Sequence, residues 1–388
     1  MPVATNYINF KENSMKRILC ILITFIIMFT LPTLINADEV KSTGTEIQLS
    51  LTDAYAMLEK NNLDIRLMDK KVVLTNKKYE NSLKLAKDAA KKDSYFESTN
   101  LQYRKEEKLN WQVDKLELED LNNQRIELVR NLKYDIKQQF INISLTNNDI
   151  NLLNEEIKNV DKKLAEIQTR IKLGQVKETE YKQIVAQKIT LSNQLSALKK
   201  QVELAQINLK KMLGINISSK IKLIEFVLPN VALNVADVEK DIEKAASSSF
   251  ELYKLKKQLE YKQLEKQLTV DNSTNKTSLA ISNLDTAILE LENKIDQQVI
   301  DSMVQYWNDY YNILTLKDNI AIEELNLEIE KLNYNSVQTK SKLGMVDVAT
   351  ESNAQVAYNR QKNNLQRAMY NYIMVVEQFN EKLAIQQQ

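Results

Sequence analysis

The chain has 388 residues, with 53 basic and 52 acidic side chains, no histidine and a single cysteine. Charges that nearly cancel exclude a general electrostatic nucleic-acid binder, which needs a basic excess. The missing histidine removes the commonest general base and the commonest metal ligand. Only 4 glycines and 3 prolines are present, against average usage of about 7% and 5%; a chain with so few turn-formers has few turns and must build long elements.

Taken in chain order, the first element reads as an export signal. Lys16 and Arg17 form a basic n-region, Ile18–Leu31 an apolar h-region, and Ile35-Asn36-Ala37 a cleavage site ending in a small residue. Cleavage after Ala37 gives a mature start at Asp38. The competing reading is an uncleaved anchor, because the apolar stretch reaches Ile35, about 18 residues, the lower limit of a membrane span. Cys20 sits near the start of the h-region rather than its end, so it does not read as a lipoprotein cysteine. Residues 1–14 precede a second methionine, Met15, and read as an over-called start.

Beyond the signal, helices dominate. Ile150, Leu153, Ile157, Val160, Leu164, Ile167 and Ile171 alternate three and four apart, and so do Leu191, Leu195, Leu198, Val202, Ala205, Leu209 and Met212. That spacing is the seam of a left-handed coiled coil. A helix from about Trp111 to Leu173 is about 90 Å long at 1.5 Å per residue. One chain cannot bury such rods around a compact core, so they pack on each other and on other copies. After Gly214, Ile221–Phe226 alternates apolar and polar ahead of Pro229, which predicts a short strand or extended segment.

Register reveals a duplication. Lys172-Leu173-Gly174-Gln175-Val176 matches Lys342-Leu343-Gly344-Met345-Val346 at an offset of 344 − 174 = 170. Without a gap, that offset pairs Ile136 with Tyr306, Phe140 with Tyr310, Ile143 with Ile313, Ile150 with Ile320, Leu209 with Phe379 and Leu213 with Leu383. The repeats also open alike, Leu63-Asp64-Ile65 against Phe250-Glu251-Leu252. From these openings to the glycines the first repeat is 17 residues longer (111 against 94), and the surplus falls at its first hairpin tip, within about residues 90–125. The predicted organisation is 1–37 extension and signal, 38–213 first repeat, 214–234 linker and 235–388 second repeat. Turns are expected near 90–110, 174–176, 270–278 and 344–346.

Leu49-Ser50-Leu51-Thr52-Asp53-Ala54, Glu59–Ile65, Leu173-Gly174-Gln175-Val176 and Ala368–Tyr372, together with the duplication, resemble the TolC family of outer-membrane efflux channels. The resemblance covers about Leu49 to the C-terminus. It implies an all-α protomer of long antiparallel helical hairpins, a homotrimer enclosing a hollow helical barrel, and docking of an adaptor protein of an efflux pump at the two turns, Leu173–Val176 and Leu343–Val346. It implies export to the cell envelope, in the outer membrane or a periplasm-like space, with membrane association through partners or through an uncleaved N-terminal segment. Family members also carry a β-hairpin in each repeat that closes a membrane barrel. Here the corresponding stretches, Lys91–Glu97 with Arg104–Lys108 and Thr269–Ser278, are too polar to face lipid, so the barrel is expected to be missing or vestigial. Some members place acidic residues six and nine positions after the second-repeat glycine; Thr350 and Asn353 stand there, so no acidic gate is expected.

No catalytic, cofactor or metal site is expected. Glu106-Glu107, Glu155-Glu156 and Glu323-Glu324 are adjacent on helices and diverge by about 100°, which reads as a solvated face. Tyr306, Trp307, Tyr310 and Tyr311 read as inter-helix packing. The turn glycines serve equally as ordinary helix C-caps. Two functions stay open: an efflux or export duct component, and a structural coiled-coil protein of the cell envelope with no conduit.

Overall fold

The computed structural model describes residues 46–91, 100–224, 226–229, 231–272 and 278–385. The expected export signal lies outside the described residues, as do 92–99 and 273–277 of the two expected tips. The unit that begins at Glu46 opens with strand β1 (Ile47–Leu49), then helices α1 (Leu51–Asn61) and α2 (Leu63–Ala90). A short helix α3 (Leu101–Lys105) runs through a π turn (Glu106–Asn110) into α4 (Trp111–Lys172), and α5 (Glu178–Leu213) returns. Strand β2 (Ile221–Leu223) follows, then α6 (Val238–Ser247), α7 (Phe250–Asp271), α8 (Leu279–Lys342) and α9 (Val348–Ile385).

Local chemistry sets these boundaries. Ser50 and Asp53 form a reciprocal capping box that starts α1. Asn62 breaks α1 from α2, where its side chain accepts from the amides of Asp64 and Ile65. The same amide group donates to the carbonyl of Met212 at 2.9 Å, which satisfies an orphan carbonyl at the end of α5. Ser249 breaks α6 from α7 in the second repeat by capping the amide of Leu252. The helices α4 and α8 run unbroken for 62 and 64 residues, through Leu153 and its counterpart, as the heptad pattern requires.

Packing follows the duplication. In the first repeat Leu58, Ile65, Ile136, Phe140, Leu209 and Leu213 form a core. In the second, Ile242, Tyr306, Ile313, Val376, Phe379 and Leu383 do the same, with Phe379 standing where Leu209 stands. The α4–α5 seam buries Leu153, Val160, Ile167, Ile184 and Leu191, with Ile157, Leu164, Ile171, Leu195 and Leu198 packed alongside. All but Ile184 are residues of the heptad stripe. Between the repeats, Ile141 and Leu145 of α4 pack on Tyr370, Ile373 and Met374 of α9. The linker supplies strand β2, which pairs in parallel with β1 in the register Ile47↔Ile221 to Leu49↔Leu223. Phe226 stacks edge-on against Phe140, with centroids 5.8 Å apart.

Among the described residues these two three-residue strands are the whole of the sheet structure. A membrane hairpin needs two strands of about 9–11 residues each. The links at the tips run from 91 to 100 and from 272 to 278, each shorter than two such strands. The barrel insertions are therefore missing, as expected. The surplus of the first repeat is mostly helical: relative to the second, α2 is six residues longer than α7, the stretch up to α4 is thirteen longer, and α4 is two shorter than α8. No described helix is long and apolar enough to cross a membrane.

Candidate functional site

Both expected docking turns are helix ends of one design. The amide of Gly174 donates to Ile171 and that of Gln175 to Arg170, each at 2.9 Å. Gly344 and Met345 repeat the pair on Ser341 and Lys340. These are Schellman closures, and they need a left-handed residue, which glycine supplies at φ +70° and +69°. The closure alone therefore accounts for both glycines. It also leaves side chains projecting: Leu173 is 66% exposed, Leu343 69% and Met345 71%. Gln175 is exposed, while Val176 and Val346 turn inward and are half-buried. Val348, in the first turn of α9, is exposed too, so the second tip is the more apolar. Asp347 caps α9 by accepting from the amide of Thr350 at 2.7 Å, and hydrogen bonds from Thr350 hold its carboxyl below the ordinary value. Lys177, its counterpart before α5, makes no side-chain cap.

A second candidate surface is a long uncovered face, which the sequence pattern alone did not locate. Within the chain, α4 is covered by α9. Asp149 meets Arg367 at 2.9 Å, Glu156 meets Arg360 at 2.7 Å, and Lys137 pairs with Glu377. Buried Asn159 donates to Asn353, so the position of interest for a gate is spent on this seam. Carrying these contacts by 170 positions brings α8 opposite α5, and most of the positions reached are exposed. Ile141 and Met374 are 6% and 3% exposed; their counterparts Tyr311 and Leu204 are 58% and 62% exposed. Farther along α8, Ile322, Leu325, Ile329 and Leu332 form an exposed apolar stripe spaced three, four and three.

The aromatic cluster divides across the two sides of α8. Tyr306, Trp307 and Tyr310 pack on the second-repeat core, as expected, whereas Tyr311, stacked on Trp307 at 5.6 Å, is exposed. The carboxylate pairs do not converge: Glu107 meets Arg104, Glu156 meets Arg360, and Glu323 accepts from Gln361. The solvated-face reading needs correction for Glu106, Glu107, Glu156 and Glu323, which are half-buried, whereas Glu155 and Glu324 are exposed.

The tip insert is clamped to the second repeat. Lys105 reaches Glu265 of α7 at 2.8 Å, Lys262 joins at 2.7 Å, and the Tyr103 hydroxyl donates to the carbonyl of Ala89. Burial pushes the Glu265 carboxyl up, but the hydrogen bonds from Lys105 and Lys262 outweigh it and hold the group below the usual glutamate range. Beside the clamp, Leu109, Leu116, Tyr261 and Leu291 line a cleft of about 570 Å³ between α4, α7 and α8, with the Asp120–Lys254 ion pair on its wall.

The architecture is a pair of duplicated long hairpins with shared seams. CusC, crystallised in a study of transmembrane channel formation, aligns over 86% of this chain and 91% of its own, at 11% identity and a TM-score of 0.61. The CmeC outer membrane channel of Campylobacter jejuni aligns over 86% and 85%, at 10% identity and 0.57. The chain has the fold of the TolC-like outer-membrane efflux channels. VceC, an outer membrane protein of Vibrio cholerae, aligns over 84% of this chain and 95% of its own, at 11% identity and 0.53. No protein-family model and no curated protein matches the sequence. The fold is thus shared with these channels at 10–11% sequence identity.

Proposed function

We propose that the protein is a non-catalytic export duct of the cell envelope, built as a closed ring of copies and docked to an adaptor at its Leu-Gly tips. The observation that carries this reading is the solvent-facing side of α8. Every helix of the chain has apolar positions to cover, and the first repeat covers those of α4 with α9. The matching side of α8 has no such cover, and the duplication supplies a cover of the right shape in α5 of another copy. Because the two faces lie on different sides of the protomer, the contact is heterologous, and repetition closes a ring or grows a filament. Resemblance to the TolC family sets the ring at three copies. Paired helices around a closed ring leave a central passage, which is what a duct requires.

The tips fit the docking role because Leu173, Leu343 and Met345 are apolar, exposed and held on a rigid closure. An adaptor subunit of an efflux pump is the partner proposed there, with the exported ring lying in the envelope. End-on electron microscopy of the purified chain tests the duct: a hollow threefold ring supports it, and two-chain rods or monomers support the coiled-coil scaffold instead. A photo-crosslinker at Met345 in the native host tests the tips; adducts to an adaptor-type subunit are expected, and adducts confined to other copies of the chain contradict docking.

A further inference from the structure

Charge is distributed over the two repeats in an unequal way, and the inequality has a direction. Helix α4 carries 11 acidic and 10 basic residues, a net of −1. Its second-repeat counterpart α8 carries 11 acidic and 5 basic, a net of −6. Nine of the α4 carboxylates are ion-paired within 4 Å, by partners such as Lys78, Lys188, Lys254, Arg360 and Arg367. On α8, Asp285 meets Lys266 and Asp309 meets Lys382. The other nine, among them Glu290, Asp296, Asp301, Glu324 and Glu328, have no ion-pair partner among the described residues.

The cations that match them lie on the first repeat. Helix α2 has 7 basic and 4 acidic residues, and α5 has 6 basic and 3 acidic, so each is +3. On α2, Lys70, Lys77 and Lys84 recur every seven residues and are exposed along one face. Of the seven α2 cations, Lys78 is the one with an ion-pair partner among the described residues. Within the chain, α4 is flanked from the other repeat by α7 and α9. Each of these is +1 (5 basic and 4 acidic; 4 basic and 3 acidic). The same flanks carried to α8 are α2 and α5 of another copy. Their combined +6 meets the −6 of α8, while the internal seam is close to neutral on both sides.

Individual contacts carry over as neighbouring charges rather than as repeated ion pairs. Tyr253 and Lys254 of α7 meet Glu119 and Asp120 of α4 at 3.0 and 2.9 Å. Their counterparts are Arg66 and Leu67 on α2 (offset 250 − 63 = 187) and Leu289 and Glu290 on α8, so a cation–leucine pair faces a leucine–carboxylate pair. Ser352 donates to Asn159 at 3.0 Å. Its counterpart Lys182 comes beside Ile329, on the turn that carries Glu328.

We propose that copies of this chain recognise one another electrostatically, the acidic α8 of one docking against the basic α2 and α5 of the next. This rests on the ring reading and adds to it what selects the partner. The excess of unpaired carboxylates over unpaired lysines, nine against five, along a 64-residue helix disfavours a second α8 and steers α2 and α5 toward it, and the attraction weakens with ionic strength. The seam inside the chain needs no such selection, since the linker already holds the two repeats together.

Sedimentation of the full chain in a non-ionic detergent, at 50 mM and 1 M NaCl, tests this. Association is expected to weaken by about tenfold or more at high salt. Glu290→Lys with Glu328→Lys, both on exposed positions, is expected to lower association at low salt to a similar degree, with helix content unchanged. Adding Arg66→Glu and Lys182→Glu to that variant is expected to restore it. Equal assembly at both salts, or reversal without rescue, overturns electrostatic recognition and leaves the ring standing on its apolar stripe. No assembly at either salt overturns the recognition and the ring together.

Discussion

Single residues in this fold are held to account by backbone geometry more than by chemistry. Gly174, Gly214 and Gly344 all have positive φ, but their surroundings differ. A Cβ at Gly174 or Gly344 meets nothing within 4 Å, whereas one at Gly214 lies 2.9 Å from the Asn61 Cβ and 3.1 Å from its carbonyl oxygen. Gly174→Ala should therefore cost about 1 kcal/mol from φ alone, and Gly214→Ala about 2–3 kcal/mol because the α1–α2 junction must move as well. Urea titration of the two variants checks the order; equal losses contradict it. The two turns are thus tolerant of alanine in space, and the docking proposed there is expected to depend on Leu343 and Met345 rather than on the glycine itself. Caps give a second contrast. Asp347→Ala should cost about 1 kcal/mol at the start of α9, and Lys177→Asp should gain up to about 1 kcal/mol at the start of α5 by supplying the missing cap. Since the folded Asp347 carboxyl is held low, its contribution is present above the ordinary value of 3.8 and is lost as pH falls through the lower folded value. The Asp347→Ala deficit in hydrogen-exchange protection at the tip should close below that pH; a deficit that persists in acid assigns it to something other than the cap.

At the scale of elements, legibility depended on whether a contact is periodic and internal. The stripe Leu153 to Ile171 and its partners on α5 could be read from spacing alone, because the seam they form lies inside one hairpin and repeats every seven residues. The offset of 170 likewise fixed both Schellman turns, because a helix reversal without proline needs a left-handed residue, and glycine marks it. The tip insert was legible as a 17-residue surplus and no more. Its π turn breaks the 3.6-residue period, and its clamp, Lys105 to Glu265, joins residues 160 apart. Strand β2 was legible from the alternation of Ile221–Phe226, but its pairing with β1 was hidden for the same reason, since Ile47 and Ile221 are far apart in sequence. The clamp gives its own prediction. Glu265 is held below its ordinary value of 4.5, so its stabilising effect is present above that pH and fades as pH falls through the lower folded value. Glu265→Gln should loosen α3 at neutral pH and leave α4 intact. Proteolysis within residues 92–110 should rise in the variant, and in the parent protein at low pH; unchanged cleavage in both contradicts the clamp.

For the molecule as a whole, the sequence carried the fold but not the assembly. Exposed Tyr311, Ile322, Leu325 and Ile329 look in sequence like any heptad residues, and only the burial of Ile141 beneath Met374 shows which of them lack a cover. On the proposed ring, the duplication turns one protomer into a description of its own interface: what α9 does to α4 inside the chain, α5 would do to α8 between chains. The most direct test joins the two faces covalently. With Cys20→Ser removing the native thiol, Leu204→Cys and Tyr311→Cys together should oxidise to inter-chain disulfides, because their counterparts Met374 and Ile141 belong to one packed cluster. The account predicts a ladder on non-reducing gels that stops at three chains, the last band being a closed covalent ring, and no cross-linking in either single-cysteine variant beyond dimers. A ladder that continues past three chains, or a double variant that stays monomeric under oxidation, contradicts the duct.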